Sequence, residues 1–554
     1  MTIKRLLILA PLVLIIVLVQ SYFWVPTFEQ ETRGNPDRLS TYVTASTGDA
    51  SLLNPILSAD SASSEIAAQV FEGLIDRDEN LQFRGRVASG WDVYAEAYFY
   101  VNPLVPPSGI ETSDPQAVAG LIRAAKASDA PMDAKLRATL DRITDITVLP
   151  PRRFSAAPED VETTSRPSAA QIHFRVDAPA RIKLRLSEVD QDLFENLSLL
   201  LGKNYHDSFE AVRYLRPDRP LPADDLAAYA RDLLPSTEHN PVIVFHIRPG
   251  IRFHDGHILD ADDVRFTYDA IMDPRNLSPR VSDYEPVKTV EVIDPLTVRI
   301  VYKRLYSPAI GTWQMGLLPQ HLLNREALLK EALARGIEPQ QFSLRDSGFN
   351  RRPIGCGPFR FMEWRSDQYI LLDRFEDYWE GPPHYKTFAY RIIPNLLTQE
   401  MEFYAGTVDT YAVQPYQVER LSADRRFQNF SGLSFGYTYI GYNMRREPFS
   451  DRRVRQALGM AIDVDKIIKY VLHGQGERIT GPFPKQTDYF DPTIPPVPYD
   501  PQGALKLLQQ AGWQRNNQGW LEKNGRRLSF TLITNSGNDI RKSILAIAQD
   551  SWRR

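Results

Sequence analysis

The segment Val242–Pro274, VIVFHIRPGIRFHDGHILDADDVRFTYDAIMDP, restricts the fold more than any other stretch of this chain. It reads as strand, turn, strand, tight turn and helix. Val242, Val244 and His246 alternate with Ile243, Phe245 and Ile247 in a mostly apolar period-two run, the pattern of a strand buried on both faces. Pro249-Gly250 punctuates the run, and Ile251 and Phe253 resume the alternation. Asp255-Gly256 predicts a tight turn, because Gly tolerates positive φ and Asp bonds the backbone ahead. Asp260 is then a helix N-cap, with Asp262 and Asp263 in the first turn, where the helix dipole favours negative charge. Val264, Tyr268 and Ile271 give the helix a buried face, and Pro274 ends it. Nothing here has a catalytic pattern; the segment predicts a piece of α/β architecture.

A chain of 554 residues is long enough for several domains. Its 43% hydrophobic and 24% charged residues are ordinary for a globular protein. A net charge of −4 with no basic block gives nucleic-acid binding no electrostatic support. The single cysteine, Cys356, excludes an intrachain disulfide and a Cys-based zinc site.

Lys4-Arg5 precede an apolar run from Leu6 to Trp24, interrupted mildly by Pro11, Gln20, Ser21 and Tyr22. About 20 mainly apolar residues suffice to cross a bilayer. Between Val19 and Gly34 the residues are bulky and offer no small-x-small cleavage site. Residues 1–25 therefore read as an uncleaved signal anchor, with a cleaved signal peptide as the alternative; the anchor would be a transmembrane helix with Met1 in the cytoplasm and the bulk of the chain outside. Residues 26–38, with Gly34-Asn35-Pro36, read as a linker.

Further blocks follow in order. Leu52-Leu53-Asn54-Pro55 precedes a helix and Phe71-Glu72-Gly73-Leu74, and Gly90-Trp91-Asp92-Val93 opens a strand. Strands at Val287–Val292 and Thr297–Tyr302 flank Asp294-Pro295. Then come Leu318-Pro319-Gln320-His321, Pro353-Ile354-Gly355-Cys356-Gly357-Pro358-Phe359, and Tyr378-Trp379 with Gly381-Pro382. Gly406-Thr407-Val408-Asp409 closes a helix, and a strand at Tyr437–Asn443 leads to Pro448-Phe449-Ser450-Asp451-Arg452-Arg453-Val454-Arg455-Gln456-Ala457-Leu458. Tyr499-Asp500-Pro501 begins a helix that ends at Gly512-Trp513, and Leu528–Ile533 reads as a strand. Together with Val242–Pro274, these blocks resemble the family 5 extracellular solute-binding proteins, the peptide-binding receptors of ABC importers. Cys356 stands where that family commonly has Thr.

The resemblance implies an α/β, two-lobed periplasmic-binding-protein fold of type II, in the large cluster with an extra subdomain. Lobe 1 would take residues 39–94 and 242–395, and lobe 2 residues 396–554. The chain departs from the family at 95–241, which is too long for a plain loop and reads as an inserted subdomain. Helical segments are expected there at Pro115–Ala127, Met132–Ile143, Asp190–Leu201 and Ala223–Leu234, a strand at Gln171–Val176, and a disordered or linker-like part around Pro150–Pro167. The second departure is at the end. The family's Trp-containing segment, whose acidic residue holds a peptide's amino terminus, cannot be located, nor can the return to lobe 1. Lobe 2 is therefore expected to be incomplete, with the chain truncated, completed by another chain, or no longer binding peptides in the family's usual way.

Other chemistry was weighed against plainer readings. Gly432-Leu433-Ser434-Phe435-Gly436 spells G-x-S-x-G, but a nucleophile elbow needs a helix after the turn, and a strand pattern follows. His246, His254 and His257 lie beside Asp255 and Asp260 without metal-ligand spacing. The arginines 452, 453 and 455 read as solvated or paired with Asp451. No catalytic residue, metal or cofactor is expected. By their places in the resemblance, Asn54, Trp313, Tyr439 and Asn443 are the candidate ligand-binding residues. The implied function is that of a receptor anchored to the inner (cell) membrane in the periplasm or another extracytoplasmic space. It would pass a peptide or other small solute to ABC permease subunits by hinge closure. The alternative is a tethered, non-transport binding or signalling domain that acts through 95–241.

Overall fold

The computed structural model describes residues 36–157, 172–487, 489–535 and 538–554. The expected signal anchor, most of the linker and part of the Pro/Ser/Thr-rich stretch lie outside the described residues. Among the described residues no helix is long and apolar enough to cross a membrane. The chain divides after Ile392 into two compact units.

The first unit is built on a six-stranded antiparallel sheet. Its strands, in spatial order, are Val287–Asp294, Thr297–Tyr302, Thr237–Ile247, Ala88–Tyr100, Arg181–Leu186 and Ile143–Leu149. Thr237–Ile247 pairs on one side with Thr297–Tyr302 (Phe245 opposite Val298) and on the other with Ala88–Tyr100 (Phe245 opposite Trp91). Ile243, Phe245 and Ile247 are buried in the core, whereas Val244 is half-buried and His246 exposed. The expectation of burial on both faces therefore holds only over Asn240–Ile243; beyond it the outward face meets solvent.

The helix Ala261–Met272 begins as its sequence predicts. Asp260 accepts the Asp262 N–H at 2.9 Å, and Asp263 returns the bond by accepting the Asp260 N–H at 3.0 Å, a capping box. Asp263 is buried, and its other oxygen accepts the Gln320 N–H at 2.8 Å, which ties the helix to the Leu318–His321 block. A four-stranded sheet completes the unit. There Thr41–Ser46 pairs in parallel with Thr387–Ile392, which joins the first described strand to the last of this unit.

The insertion is not a detached body. Its expected ends, Ala95 and Pro241, fall opposite each other inside the paired strands Ala88–Tyr100 and Thr237–Ile247. The sheet simply continues, and Arg181–Leu186 and Ile143–Leu149 extend it. Helices Pro115–Ala127, Ala134–Arg142 and Leu193–Leu201 cover this half over Ala97, Phe99, Ile122, Leu140, Leu184 and Leu197. A smaller sheet of Arg152–Ala156, Phe174–Ala178 and Leu215–Pro217 packs with the helix Ala223–Leu233. Arg152–Ala156 corrects the expectation of disorder there: Phe154 pairs opposite Val176, and Ala156 is buried.

The regular structure of the second unit is mostly helical, with one small three-stranded sheet of Gln514–Arg515, Leu521–Lys523 and Arg526–Arg527. Val454, Ala457 and Leu458 of the helix Arg452–Met460 pack on Ala504 and Leu508 of the helix Pro501–Gln510, with Trp513. Gly512, at φ +91°, supplies the left-handed turn after the second helix. Trp552 of the helix Asp539–Arg553 donates to the Leu458 carbonyl at 2.9 Å. The expected strands at Tyr437–Asn443 and Leu528–Ile533 are absent as strands; among the described residues only the Leu528 N–H joins a neighbouring strand, donating to Leu521 O at 2.8 Å.

Candidate functional site

In the first unit the family-like blocks converge on one another. The loop after Leu52 is held by the Leu53 N–H, which donates to Asn350 O at 2.7 Å, and by Asn54 Nδ2, which donates to Asn350 Oδ1 at 2.9 Å. Asn54 Oδ1 accepts the Ile56 N–H, so this fully buried side chain spends one polar atom inside its own loop and the other on Asn350. Gly73 lies so close to the 313–314 backbone that a Cβ would sit 2.5 Å from the Gln314 carbonyl. A Cβ on Gly355 would lie 1.9 Å from the Val70 carbonyl oxygen, and one on Gly357 2.7 Å from Gln69 O. The Pro353–Phe359 turn thus needs glycine to reach the end of the helix Ser61–Val70.

The histidines are divided among separate tasks. His246 bonds Asp92 at 2.9 Å. His254 lies between the Gly357 carbonyl, at 3.0 Å from Nε2, and the Gly355 N–H, which donates to Nδ1 at 3.2 Å. Burial pushes its pKa down to about 4, so the ring is neutral at pH 7. His257 stacks on His321 with ring centroids 3.9 Å apart, and His321 bonds Asp255 at 2.7 Å. Burial also pushes Asp263 up to about 6. Among the described residues no group of three or more His, Cys, Asp or Glu is arranged to hold a metal ion.

A buried charge network escaped the sequence reading. Glu72 accepts from Arg86, from Tyr378 Oη and, at 2.7 Å, from Trp379 Nε1. Arg86 reaches Glu380 at 2.8 Å, and Arg248 lies 4.6 Å from the Trp379 ring centroid. The network joins the Phe71–Leu74 block to the Tyr378–Pro382 block. Its signal was the carboxylate of Glu72 within an apolar run, because a buried charge requires partners.

Trp313 is likewise a core residue. It is buried, donates from Nε1 to Tyr302 Oη at 2.9 Å, and meets Tyr284 edge-on at 5.3 Å. Tyr439 and Asn443 lie in the second unit and are exposed. Tyr439 is 72% exposed, with the Tyr437 ring centroid 5.5 Å away. Asn443 Oδ1 accepts the Arg445 N–H at 3.1 Å and leaves its amide nitrogen to solvent. The four candidates are thus two buried scaffold residues and two exposed ones.

Among the described residues, positions 429–442 form no backbone-to-backbone hydrogen bond. Phe430, Leu433, Phe435 and Tyr437 are all exposed along this run. Ser434 Oγ donates to Gly436 O at 3.3 Å, with no helix behind it, so the G-x-S-x-G string is no nucleophile elbow. Arg453 chelates Asp451, the N-cap of its helix, at 3.1 and 2.7 Å, and this pairing brings the Asp451 pKa down to about 2. Arg455 is spent on the Phe449 and Ser450 carbonyls.

Residues 232–554 match the model of the bacterial extracellular solute-binding proteins, family 5 Middle. The chain belongs to this family. The match begins just before the strand Thr237–Ile247 and takes in the whole second unit. The family 5 chain is 34% identical over 321 residues to the oligopeptide-binding protein AppA of Bacillus subtilis, covering 56% of this chain and 55% of that one. It is 28% identical over 269 residues to the glutathione-binding protein GsiB of Pectobacterium atrosepticum, covering 48% and 49%. Over 287 residues it is 28% identical to heme-binding protein A of Haemophilus influenzae, covering 49% and 50%. The family 5 chain therefore spans about half the length of the curated relatives it matches.

Solved structures share the fold. NikZ from Campylobacter jejuni, in complex with Ni(L-His), superposes with a TM-score of 0.59 at 20% identity over 93% of this chain and 71% of that one. AppA from Bacillus subtilis, in complex with a nonapeptide, gives 0.58 at 23% identity over 93% and 72%. The relatives are named for what they bind, not for a reaction they catalyse.

Proposed function

We propose that this chain is the receptor of an ABC importer. It captures a peptide or another small solute outside the cytoplasm and delivers it to the permease subunits. The observation that carries this reading is the family match over 232–554, which includes all of the exposed 429–442 run. Tyr439 and Asn443 contact the solute, while Asn54 and Trp313 hold the loops of the first unit in place. Among the described residues 429–442 makes no backbone-to-backbone hydrogen bond, although the Leu433, Ser434 and Gly436 carbonyls accept from side chains; a run of this kind suits a peptide main chain, which asks for backbone-type hydrogen bonds and tolerant apolar side pockets. The apolar stretch of residues 1–25 tethers the protein to the cell membrane, and solute binding shifts an equilibrium between open and closed arrangements by hinge closure. The names of the relatives span oligopeptide, glutathione and heme, so solute class varies within the family.

The test is thermal unfolding of the natural full-length protein against peptide mixtures, sugars and metal chelates. A solute present at 100 times its dissociation constant stabilises the folded state by about 2.7 kcal/mol. A peptide pool is expected to raise the midpoint. No shift with any peptide, sugar or chelate contradicts the reading.

A further inference from the structure

The long strand Ala88–Tyr100 is paired along its whole length on one side only. On the other side Arg181–Leu186 pairs with it from Tyr100 to Ala95 and no further. Beyond Leu186 the chain turns away, with the Ser187 N–H donating to the Arg142 carbonyl at 2.8 Å. Residues 89–94 are therefore an open β-edge in the middle of the sheet, where alternate N–H and C=O groups point away from their one partner. A groove of about 710 Å³ runs along this edge, with Val93, Tyr94, Leu186 and Ser187 in its walls. Residues of both sheet faces line it, so the groove follows the edge. Val93 is 42% exposed within it.

Charge makes the groove selective. The neighbouring cations on this sheet are paired: Lys183 with Glu96, Arg299 with Glu96 and Glu291, and Arg181 with Glu238. Arg185 is the exception. It is exposed, lies 4.4 Å from the Tyr94 ring centroid, and has no carboxylate partner among the described residues. The acidic residue in the groove, Asp92, already bonds His246. The edge thus offers strand hydrogen bonds, an apolar floor and one unspent guanidinium held flat on an aromatic ring.

We propose that the open edge at 89–94 docks an extended, acidic segment of a partner polypeptide, which adds a short strand there and places a carboxylate on Arg185. The partner strand continues the line that Arg181–Leu186 abandons. Main-chain bonds supply affinity, and the Arg185–carboxylate pair sets register and excludes basic segments. The inference rests on the edge and its charge, not on the solute reading.

The probe is a short fluorescein-labelled peptide of alternating Val and Thr with one central Glu, followed by fluorescence anisotropy on the full chain. A second peptide carries N-methyl groups on alternate residues and so lacks the strand donors. The expected result is saturable binding of the first peptide, loss of binding for the methylated one, and binding at least about tenfold weaker in the Arg185→Ala variant. Arg185 is exposed, so its truncation leaves the fold intact. No binding of the first peptide, equal binding of the methylated one, or equal binding by Arg185→Ala each overturns the proposal.

Discussion

The strand Thr237–Ile247 and the run 429–442 carry the same kind of sequence, apolar and aromatic residues at strand-like alternation, yet they have opposite fates. The first has a partner on each side and puts Ile243, Phe245 and Ile247 into the core. The second has no backbone partner among the described residues and leaves Phe430 84% exposed. Alternation says that a segment can be a strand. Pairing decides whether it is one, and pairing is set by residues far away in the chain. In Thr237–Ile247 the backbone is consumed by the sheet; in 429–442 none of it is bonded to other backbone among the described residues.

Three experiments bear on this contrast. The largest effect is expected at the glycine contacts. Gly355→Val drives a Cβ into the Val70 carbonyl and is expected to cost about 3 kcal/mol or more in urea unfolding. Gly432, with nothing within 4 Å of its Cβ position, is expected to tolerate Ala within about 0.5 kcal/mol. Equal losses at both positions would erase the distinction between the regions.

Side chains come next. Phe245→Ala removes a fully buried ring and is expected to cost about 3–5 kcal/mol. Tyr439→Ala, at a site 72% exposed, is expected to change stability by less than about 0.5 kcal/mol while weakening solute binding. A stability loss at Tyr439 comparable to that at Phe245 would make the 429–442 run part of a core.

The smallest effect is a pH dependence at two buried groups of the first unit, His254 and Asp263. His254 has its pKa pushed from 6.5 down to about 4 by burial, so the unfolded chain takes up a proton that the folded one refuses. Its contribution to stability is present above about pH 6.5 and is lost as pH falls towards 4, by roughly 3 kcal/mol at most. Asp263 acts in the opposite sense. Its pKa is raised by burial to about 6, so its contribution is lost as pH rises from about 4 through 6. In the difference between wild type and His254→Gln the Asp263 effect cancels, and the wild-type advantage is expected to grow from pH 4 to pH 6.5. A pH-independent difference would mean that His254 is not held neutral.

Much of the first unit was legible in its residues. The Asp255-Gly256 turn, the Asp260 cap and the alternation of Ile243, Phe245 and Ile247 act locally, and local chemistry can be read in order. The alternation of Ile182, Leu184 and Leu186 with Arg181, Lys183 and Arg185 is equally plain, but alternation alone does not name the strands that pair with it. The extension of the sheet through Ala95 and Pro241 could not be read, because register between distant strands leaves no local mark. The candidate site was harder. Asn54 and Trp313 were judged by position in a pattern, and a pattern does not say whether a polar atom faces solvent or Asn350 and Tyr302. The network around Glu72 needed four segments to meet before it had any meaning.

Amide hydrogen exchange of the full-length protein, read with and without an added oligopeptide pool, tests the central claim most directly. Amides of Ile243–Ile247 are expected to be protected in both conditions, since they open only with the sheet. Amides across 429–442 are expected to exchange rapidly in the free protein and to slow when peptide is present. Protection of 429–442 in the free protein, or exchange there that ignores every peptide, would contradict the account.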